Sequence, residues 1–337
     1  MIRVGILGAT GYTGLEALEW LLRHPKVQIV AATSRQANGN MLSDAHPRLV
    51  GRLKLQLEDL TPERLTERCD VVFSCLPHGA SAHRITQLLK LGCKVIDLSP
   101  DYRLSDAALY ESWYGEKHPE PIRLGNTPYG LPELFADQLH HTQLIANPGS
   151  YATSAILPLA PLLKEKLIDP EDVIVDSIGS WSTEGRLHKF SNLFCEASES
   201  ITTLSIGSHR ELPEMVDVLS RFAGVKPRIS FTPHLVPAAR GVLSTLYVRS
   251  RSGVTPNQLR ECLHTYFYQS SFVRVVSHLP STRFVHRTNY VDISVRENGD
   301  RVTLICALDN LVKGAAGAAI QNMNYMFSFH PTLGLVP

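Results

Sequence analysis

A strand that runs directly into closely spaced glycines and then into a helix limits the fold of this chain more than any other stretch. Arg3 to Leu7 reads as a buried strand. It is followed at once by Gly8-Ala9-Thr10-Gly11-Tyr12-Thr13-Gly14 and by an amphipathic helix through Leu15, Leu18, Leu21 and Leu22. Glycines at 8 and 11 let backbone N–H groups approach phosphate oxygens, and a helix N-terminus adds favourable partial charge. The spacing is GxxGxxG and not GxGxxG, a pattern that also fits a tight turn binding nothing. The order strand, glycine turn, helix is the one a pyrophosphate site requires.

The next strand, Val27 to Ala32, ends in Thr33-Ser34-Arg35, where an NAD site usually carries an acid for the ribose 2′-hydroxyl. A hydroxyl and a guanidinium suit a 2′-phosphate better, so NADP(H) is the expected cofactor. The plainer alternative is that Arg35 is a solvated loop residue. Strands expected at Asp70 to Cys75 and Lys94 to Leu98 alternate with helices, as in a doubly wound α/β sheet. Their carboxyl ends open into Leu76-Pro77-His78-Gly79 and Ser99-Pro100-Asp101-Tyr102-Arg103, the edge where such sheets bind ligands. His78 fits a satisfied loop histidine as well as a cofactor contact.

From Val173 onward the pattern changes. Val173 to Ile178, Arg228 to Thr232, Gly241 to Val248, Val291 to Val295 and Arg301 to Leu308 read as strands with only some helices between them, which predicts a mixed α+β sheet. With 337 residues the chain suits two domains. The expected bounds are 1–148 plus 312–337 for the nucleotide-binding part and 149–311 for the second. Charge is nearly balanced, with 33 basic against 32 acidic residues, which gives no reason to expect nucleic acid or an anionic membrane as partner. Six scattered cysteines have neither CxxC pairs nor zinc-like spacing, so no metal is expected and the thiols read as free. Met1 leads directly into the first strand and no stretch reaches membrane-spanning length, so a cytoplasmic location is expected.

The turn Asn147-Pro148-Gly149-Ser150-Tyr151-Ala152-Thr153 lies between an apolar segment, Gln143 to Ala146, and an apolar helical run from Ser154 to Leu163. It should present residue 150 at a helix N-terminus, a place for a nucleophile, where N–H groups stabilise an anion and the dipole lowers a thiol pKa. The residue there is a serine.

These stretches, with Val95-Ile96-Asp97-Leu98-Ser99, Tyr129-Gly130-Leu131-Pro132-Glu133, Phe231-Thr232-Pro233-His234-Leu235-Val236-Pro237 and the run from Asp309 to Gly317, resemble the N-acetyl-γ-glutamyl-phosphate reductase family over essentially the whole chain. That family is related to aspartate-semialdehyde dehydrogenase. The resemblance implies a Rossmann-type dinucleotide-binding domain, a mixed-sheet substrate and dimerisation domain, and a homodimer or homotetramer. It also implies NADPH-dependent reduction of a small acyl phosphate to a semialdehyde in arginine biosynthesis. In such enzymes a cysteine thiolate displaces phosphate and a histidine handles protons. Carried onto this chain, Gly8, Thr10, Gly11, Tyr12, Thr13 and Gly14 would hold the pyrophosphate, Ser34 and Arg35 the 2′-phosphate, and Asn310 the nicotinamide carboxamide, with Pro77 also on the cofactor. Arg103 would bind the substrate phosphate, with Arg186 and Glu211 beside the substrate.

The departures fall on the chemistry. Ser150 stands where the resemblance implies cysteine, and Ala152 where it implies proline. His-Arg-His-x-Pro-Glu reads His209-Arg210-Glu211-Leu212-Pro213-Glu214, keeping the first histidine and losing the second. Ser-Gly-Val-Ser-Gly-Ala-Gly-Arg reads Gly179-Ser180-Trp181-Ser182-Thr183-Glu184-Gly185-Arg186. Glu211 and the altered loop speak against a single-site laboratory replacement. Other readings are a relative acting on another carbonyl compound, or a non-catalytic NADP-binding regulator in which Ser150 is only a helix cap. A serine hydrolase lacks the GxSxG elbow. Cys75 and Cys195 read as buried packing residues and not as substitute nucleophiles.

Overall fold

A computed structural model describes residues 1–186 and 193–336, which divide into two compact units, 1–148 with 315–337, and 149–314. The first unit is built on six strands: β1 (Ile2–Leu7), β2 (Val27–Thr33), β3 (Leu57–Glu58), β4 (Val71–Ser74), β5 (Lys94–Asp97) and β6 (Leu144–Ala146). They pair in the order β3-β2-β1-β4-β5-β6, and every pairing is parallel. The order reverses direction between β1 and β4, the point at which such sheets open a crevice for a dinucleotide.

The helices of this unit are α1 (Tyr12–Leu21), α2 (Leu42–Ala45), α3 (Pro62–Arg68), α4 (Ala80–Lys90), α5 (Ala107–Tyr114), α6 (Pro132–Phe135) and, at the far end of the chain, α11 (Gly317–Met326). Ile85, Leu88 and Leu89 of α4, at helical spacing, join Leu65 of α3 and Leu7, Val72 and Val95 of the sheet in one buried cluster. Each such side chain contributes about 1.5–3 kcal/mol relative to its exposed state. Chain ends thus meet in one unit: α11 packs on α1 and β5.

The second unit carries β7 (Ile168–Ser180), β8 (Thr202–Thr203), β9 (Ile229–Val236), β10 (Val242–Ser250), β11 (Val273–Val275), β12 (Val291–Asn298) and β13 (Arg301–Leu308) in the order β11-β12-β13-β10-β7-β9-β8. Parallel pairings, β7 with β9 and β11 with β12, coexist with antiparallel ones, so the sheet is mixed as expected. Helices α7 (Ser150–Lys164), α8 (Phe194–Ala197), α9 (Glu211–Ala223) and α10 (Pro256–Phe267) complete it. Alternation is strict in β10: Val242, Ser244, Leu246 and Val248 are buried, while Leu243, Thr245 and Tyr247 are only partly covered. Between β13 and α11 the backbone makes a π-helical turn over Val312–Ala316 instead of running directly into the small-residue helix.

Candidate functional site

Within the first unit, the glycine turn has distinct duties for its three glycines. Gly8 takes φ +71°, and a Cβ there would lie 2.7 Å from the Cys75 carbonyl oxygen, so a side chain is excluded. At Gly14 a Cβ would meet the Gly8 oxygen at 2.8 Å, which lets α1 start hard against the turn. Gly11 differs: its φ is −77°, and the nearest atom to a Cβ is 3.7 Å away. The protein itself does not require glycine at 11. The bare backbone leaves open space at the N-terminus of α1, whose cap residue supplies no side-chain hydrogen bond to the first N–H groups. That cradle fits a pyrophosphate. His46 braces the turn by contacting the Ala9 carbonyl at 2.7 Å. Tyr12 opens α1, partly exposed, followed by Thr13.

Beyond the carboxyl ends of β2 and β3 lies a pocket of about 430 Å³ lined by Arg35, Asp59, Leu60, Thr61 and Arg84. Ser34 ties these strand ends together, its N–H donating to the Glu58 oxygen, while its hydroxyl accepts from Ala37 N–H. Pro77 sits exposed after β4, its carbonyl accepting from Ser81 N–H.

His78 is held from several sides. Its Nδ1 lies 2.5 Å from Asp101 Oδ1, its Nε2 3.2 Å from Glu116 Oε1, and its ring packs 4.3 Å from that of Tyr114. The ring therefore fixes the two loops to each other. Asp101 also accepts the N–H groups of Gly79 and Ala82. Despite burial, these donors and His78 hold its carboxyl below the usual value. Asp97, fully buried, is the opposite case. Burial, with the charge of Asp101 added, pushes it up to about 7 against the hydrogen bonds from Ser81 and Ser99. Arg103 is nine-tenths buried under the same loop and donates from Nη2 to the Leu98 oxygen at 3.0 Å.

Within the second unit, α7 begins at Ser150 itself, four residues earlier than the apolar run suggested, and Gly149 is its cap residue with no side-chain cap bond. Ser150 is thus the first helical residue and does not serve as the helix cap. Its side chain is nearly buried, and Gly314 closes one side of it, since a Cβ at 314 would stand 2.6 Å from the Ser150 Cβ. Two carboxylates reach the helix start. Glu214 Oε1 accepts Gly149 N–H at 2.9 Å, and Glu211 Oε2 accepts Ala152 N–H at 2.8 Å. The N–H groups of Ser150 and Tyr151, between them, find no acceptor among the described residues. This pair can receive a developing oxyanion.

His209 stands edge-on to Tyr151 and Phe231, with ring centroids 5.4 Å apart in both cases. Burial pushes its pKa down to about 4, the charge of Arg210 adding to the fall and that of Glu184 opposing it. The imidazole is therefore neutral near pH 7. Its Nδ1 accepts the Glu211 N–H at 3.2 Å, which assigns the ring proton to Nε2. His209 and Glu211 thus meet the two residues that follow Ser150 in α7, Tyr151 and Ala152.

Asn310 is turned inward: its Oδ1 accepts from Gly241 N–H at 2.8 Å and Ser180 Oγ at 3.3 Å, and its Nδ2 donates to Ser182 Oγ at 2.9 Å. These bonds secure the loop after β7 and leave one Nδ2 hydrogen, the group that the expected carboxamide contact would use. Arg186 is exposed at the end of that loop. Cys75 is inert, its thiol pushed up to about 12 by burial. Cys195, expected to be buried, is exposed in the short helix α8, whose four residues bury no side chain. Sequence reasoning assigned no role to Glu214, Gly314 or Arg84.

Comparison with known proteins agrees with both units. Residues 3–142 match the family model described as semialdehyde dehydrogenase, NAD binding domain, and residues 150–310 match the model described as semialdehyde dehydrogenase, dimerisation domain. The N-acetyl-γ-glutamyl-phosphate reductase of Rhodopirellula baltica is 47% identical over 340 residues, covering 99% of this chain and 98% of that protein. The protein of the same name from Geotalea daltonii is 44% identical with the same coverage. Among solved structures, aspartate semialdehyde dehydrogenase II of Vibrio cholerae superposes with TM-score 0.74 at 18% identity, covering 97% of this chain and 98% of that one. The Candida albicans aspartate semialdehyde dehydrogenase, solved with NADP, gives TM-score 0.74 at 18% identity over 96% of this chain and 98% of that one. At such identity these two structures attest the shared fold.

Proposed function

Because the chain belongs to the N-acetyl-γ-glutamyl-phosphate reductase family of semialdehyde dehydrogenases, we propose that it interconverts N-acetyl-γ-glutamyl phosphate and its semialdehyde with NADP(H), as a step of arginine biosynthesis. Ser150 holds the rate of that reaction down. The observation that carries the reading is the start of α7, where the N–H groups of Ser150 and Tyr151 find no acceptor among the described residues and the Tyr151 ring stands edge-on to a neutral imidazole.

The bound dinucleotide supplies or accepts hydride. Within each unit, this chain's residues have separate tasks. Gly8, Gly11 and Gly14, with Thr10, Tyr12 and Thr13, form the pyrophosphate turn, Pro77 stands at the neighbouring strand end, and Ser34 and Arg35 favour the 2′-phosphorylated form. Arg103 offers a guanidinium to the substrate phosphate and Arg186 a second charge. The N–H groups of Ser150 and Tyr151 stabilise the carbonyl oxygen as it gains charge, and His209 donates from Nε2. Being neutral down to pH 4, His209 does not limit the rate by titrating between pH 5 and 8.

A hydroxyl at 150 is a poor nucleophile near neutral pH, and Glu211 and Glu214 add negative charge where an anion would have to form. The test is phosphate-dependent oxidation of N-acetylglutamate semialdehyde with NADP. The native chain should turn over slowly, and Ser150→Cys should raise the rate at least about tenfold, with NADPH affinity unchanged. Adding Glu211→His should raise it further. Full native activity with no gain in Ser150→Cys would overturn the assigned role of residue 150.

The half-covered face of the second unit's sheet, with apolar pairs among polar groups, supports assembly of two copies, a homodimer. No helix among the described residues is long and apolar enough to cross a membrane.

A further inference from the structure

We propose that Arg84, on α4, is a second phosphate-binding cation that works with Arg35 and sets the preference for a 2′-phosphorylated dinucleotide. This rests on the NADP(H) reading above and assigns it a residue that neither the glycine turn nor the end of β2 contains. Arg35 and Arg84 line one open pocket with Asp59, Leu60 and Thr61. Neither guanidinium lies within ion-pair distance of a carboxylate among the described residues, and Arg35 makes no hydrogen bond there. Arg84 is half-buried, and one arm of its fork is anchored by donation to the Leu60 carbonyl. The remaining N–H groups are left for another acceptor.

Two cations facing one pocket repel each other, and a half-buried guanidinium whose one acceptor is the Leu60 carbonyl recovers only part of the hydration it loses. Both costs disappear when a dianion enters. Burial and the neighbouring Arg35 pull the Arg84 pKa down, while Asp59 and Glu63 oppose that shift, in keeping with a pocket that carries excess positive charge before the ligand arrives. The location selects the dianion. The pyrophosphate turn follows β1, the adenosine ribose of such folds lies over the end of the adjacent strand β2, and the pocket opens at the ends of β2 and β3. Asp59 is the rival group, because a carboxylate there could accept a free ribose 2′-hydroxyl and favour the unphosphorylated dinucleotide.

The experiment is fluorescence titration of the full chain with NADPH and NADH, together with competition by 2′,5′-ADP and 5′-AMP, for the native protein, Arg84→Gln and Arg35→Gln. Arg84→Gln should weaken NADPH and 2′,5′-ADP by about tenfold or more and leave NADH and 5′-AMP within about twofold, a difference that shrinks at high salt. An equal loss for NADH would show that the arginine only supports the fold through Leu60 and would overturn the proposal. So would an NADPH preference that survives the substitution while Arg35→Gln abolishes it. A native chain binding NADH as tightly as NADPH would defeat the NADP(H) reading as well, an outcome distinguishable because it precedes any substitution.

Discussion

Asp97 is a fully buried carboxyl held by two serines. Its Oδ1 accepts Ser81 Oγ and Ser99 N–H, and its Oδ2 lies 2.7 Å from Ser99 Oγ, which itself accepts Asp101 N–H. Burial and the charge of Asp101 outweigh these hydrogen bonds and raise the carboxyl to about 7. The unfolded carboxyl ionises near 3.8, so between about pH 4 and 7 the folded state holds a proton that the unfolded state releases. Stability from this group is therefore present below pH 4 and lost as pH rises to 7, by roughly 2–4 kcal/mol in all. Asp97→Asn keeps a neutral side chain of the same shape and removes the titration. Denaturant unfolding at pH 5 and pH 8 should show the native chain losing more stability than the variant, and equal losses would refute the assignment.

Among the elements, the start of the chain separates two kinds of glycine. Gly14→Ala forces a Cβ against the Gly8 oxygen and Ala9 Cα, backbone atoms that cannot yield, so it should cost about 1–3 kcal/mol of stability. Gly11→Ala meets nothing closer than 3.7 Å and should leave the melting temperature near native while weakening NADPH binding, because its methyl enters the space left for the ligand. Calorimetry and titration on the pair check this, and a destabilised Gly11→Ala would sink the distinction. This turn was legible because backbone requirements show in glycine spacing. The start of α7 was legible less fully, since Pro158 and Pro161 lie inside the helix and the periodic signal began only after Ser150-Tyr151-Ala152-Thr153. Strands β8 and β11, of two and three residues, are too short to carry a period. Arg84 gave no signal, because it reaches the ends of β2 and β3 from a helix far along the chain. The structural bonds of Asn310 gave no signal, because its partners, Ser180, Ser182 and Gly241, are distant in sequence.

At the scale of the molecule, the seven-stranded sheet raises the question of what covers its second face. Helices α7, α9 and α10 pack on one side, over Val175, Phe231, Leu246 and Leu304. On the other, Ile174, Ile178, Val236, Leu243, Tyr247 and Ile305 stay partly accessible, and cross-strand pairing sets Ile178 beside Leu243 and Ile174 beside Tyr247, two apolar pairs with the polar pair Asp176 and Thr245 between them. Monomeric proteins seldom leave such a face in water. The matching family model for this unit is a dimerisation domain, and a two-fold interface needs only one self-complementary face. Asp176, Thr232 and His234 share the face, which gives it polar groups to fix the register of the pairing. Light scattering should therefore find twice the monomer mass. Ile178 is 42% exposed, so replacing it with aspartate removes little from the fold of one copy but buries a charge in the pair. Ile178→Asp should shift the mass toward the monomer at micromolar concentration while circular dichroism stays native. A native chain that is monomeric at every concentration, or a variant that remains fully dimeric, would move the interface elsewhere.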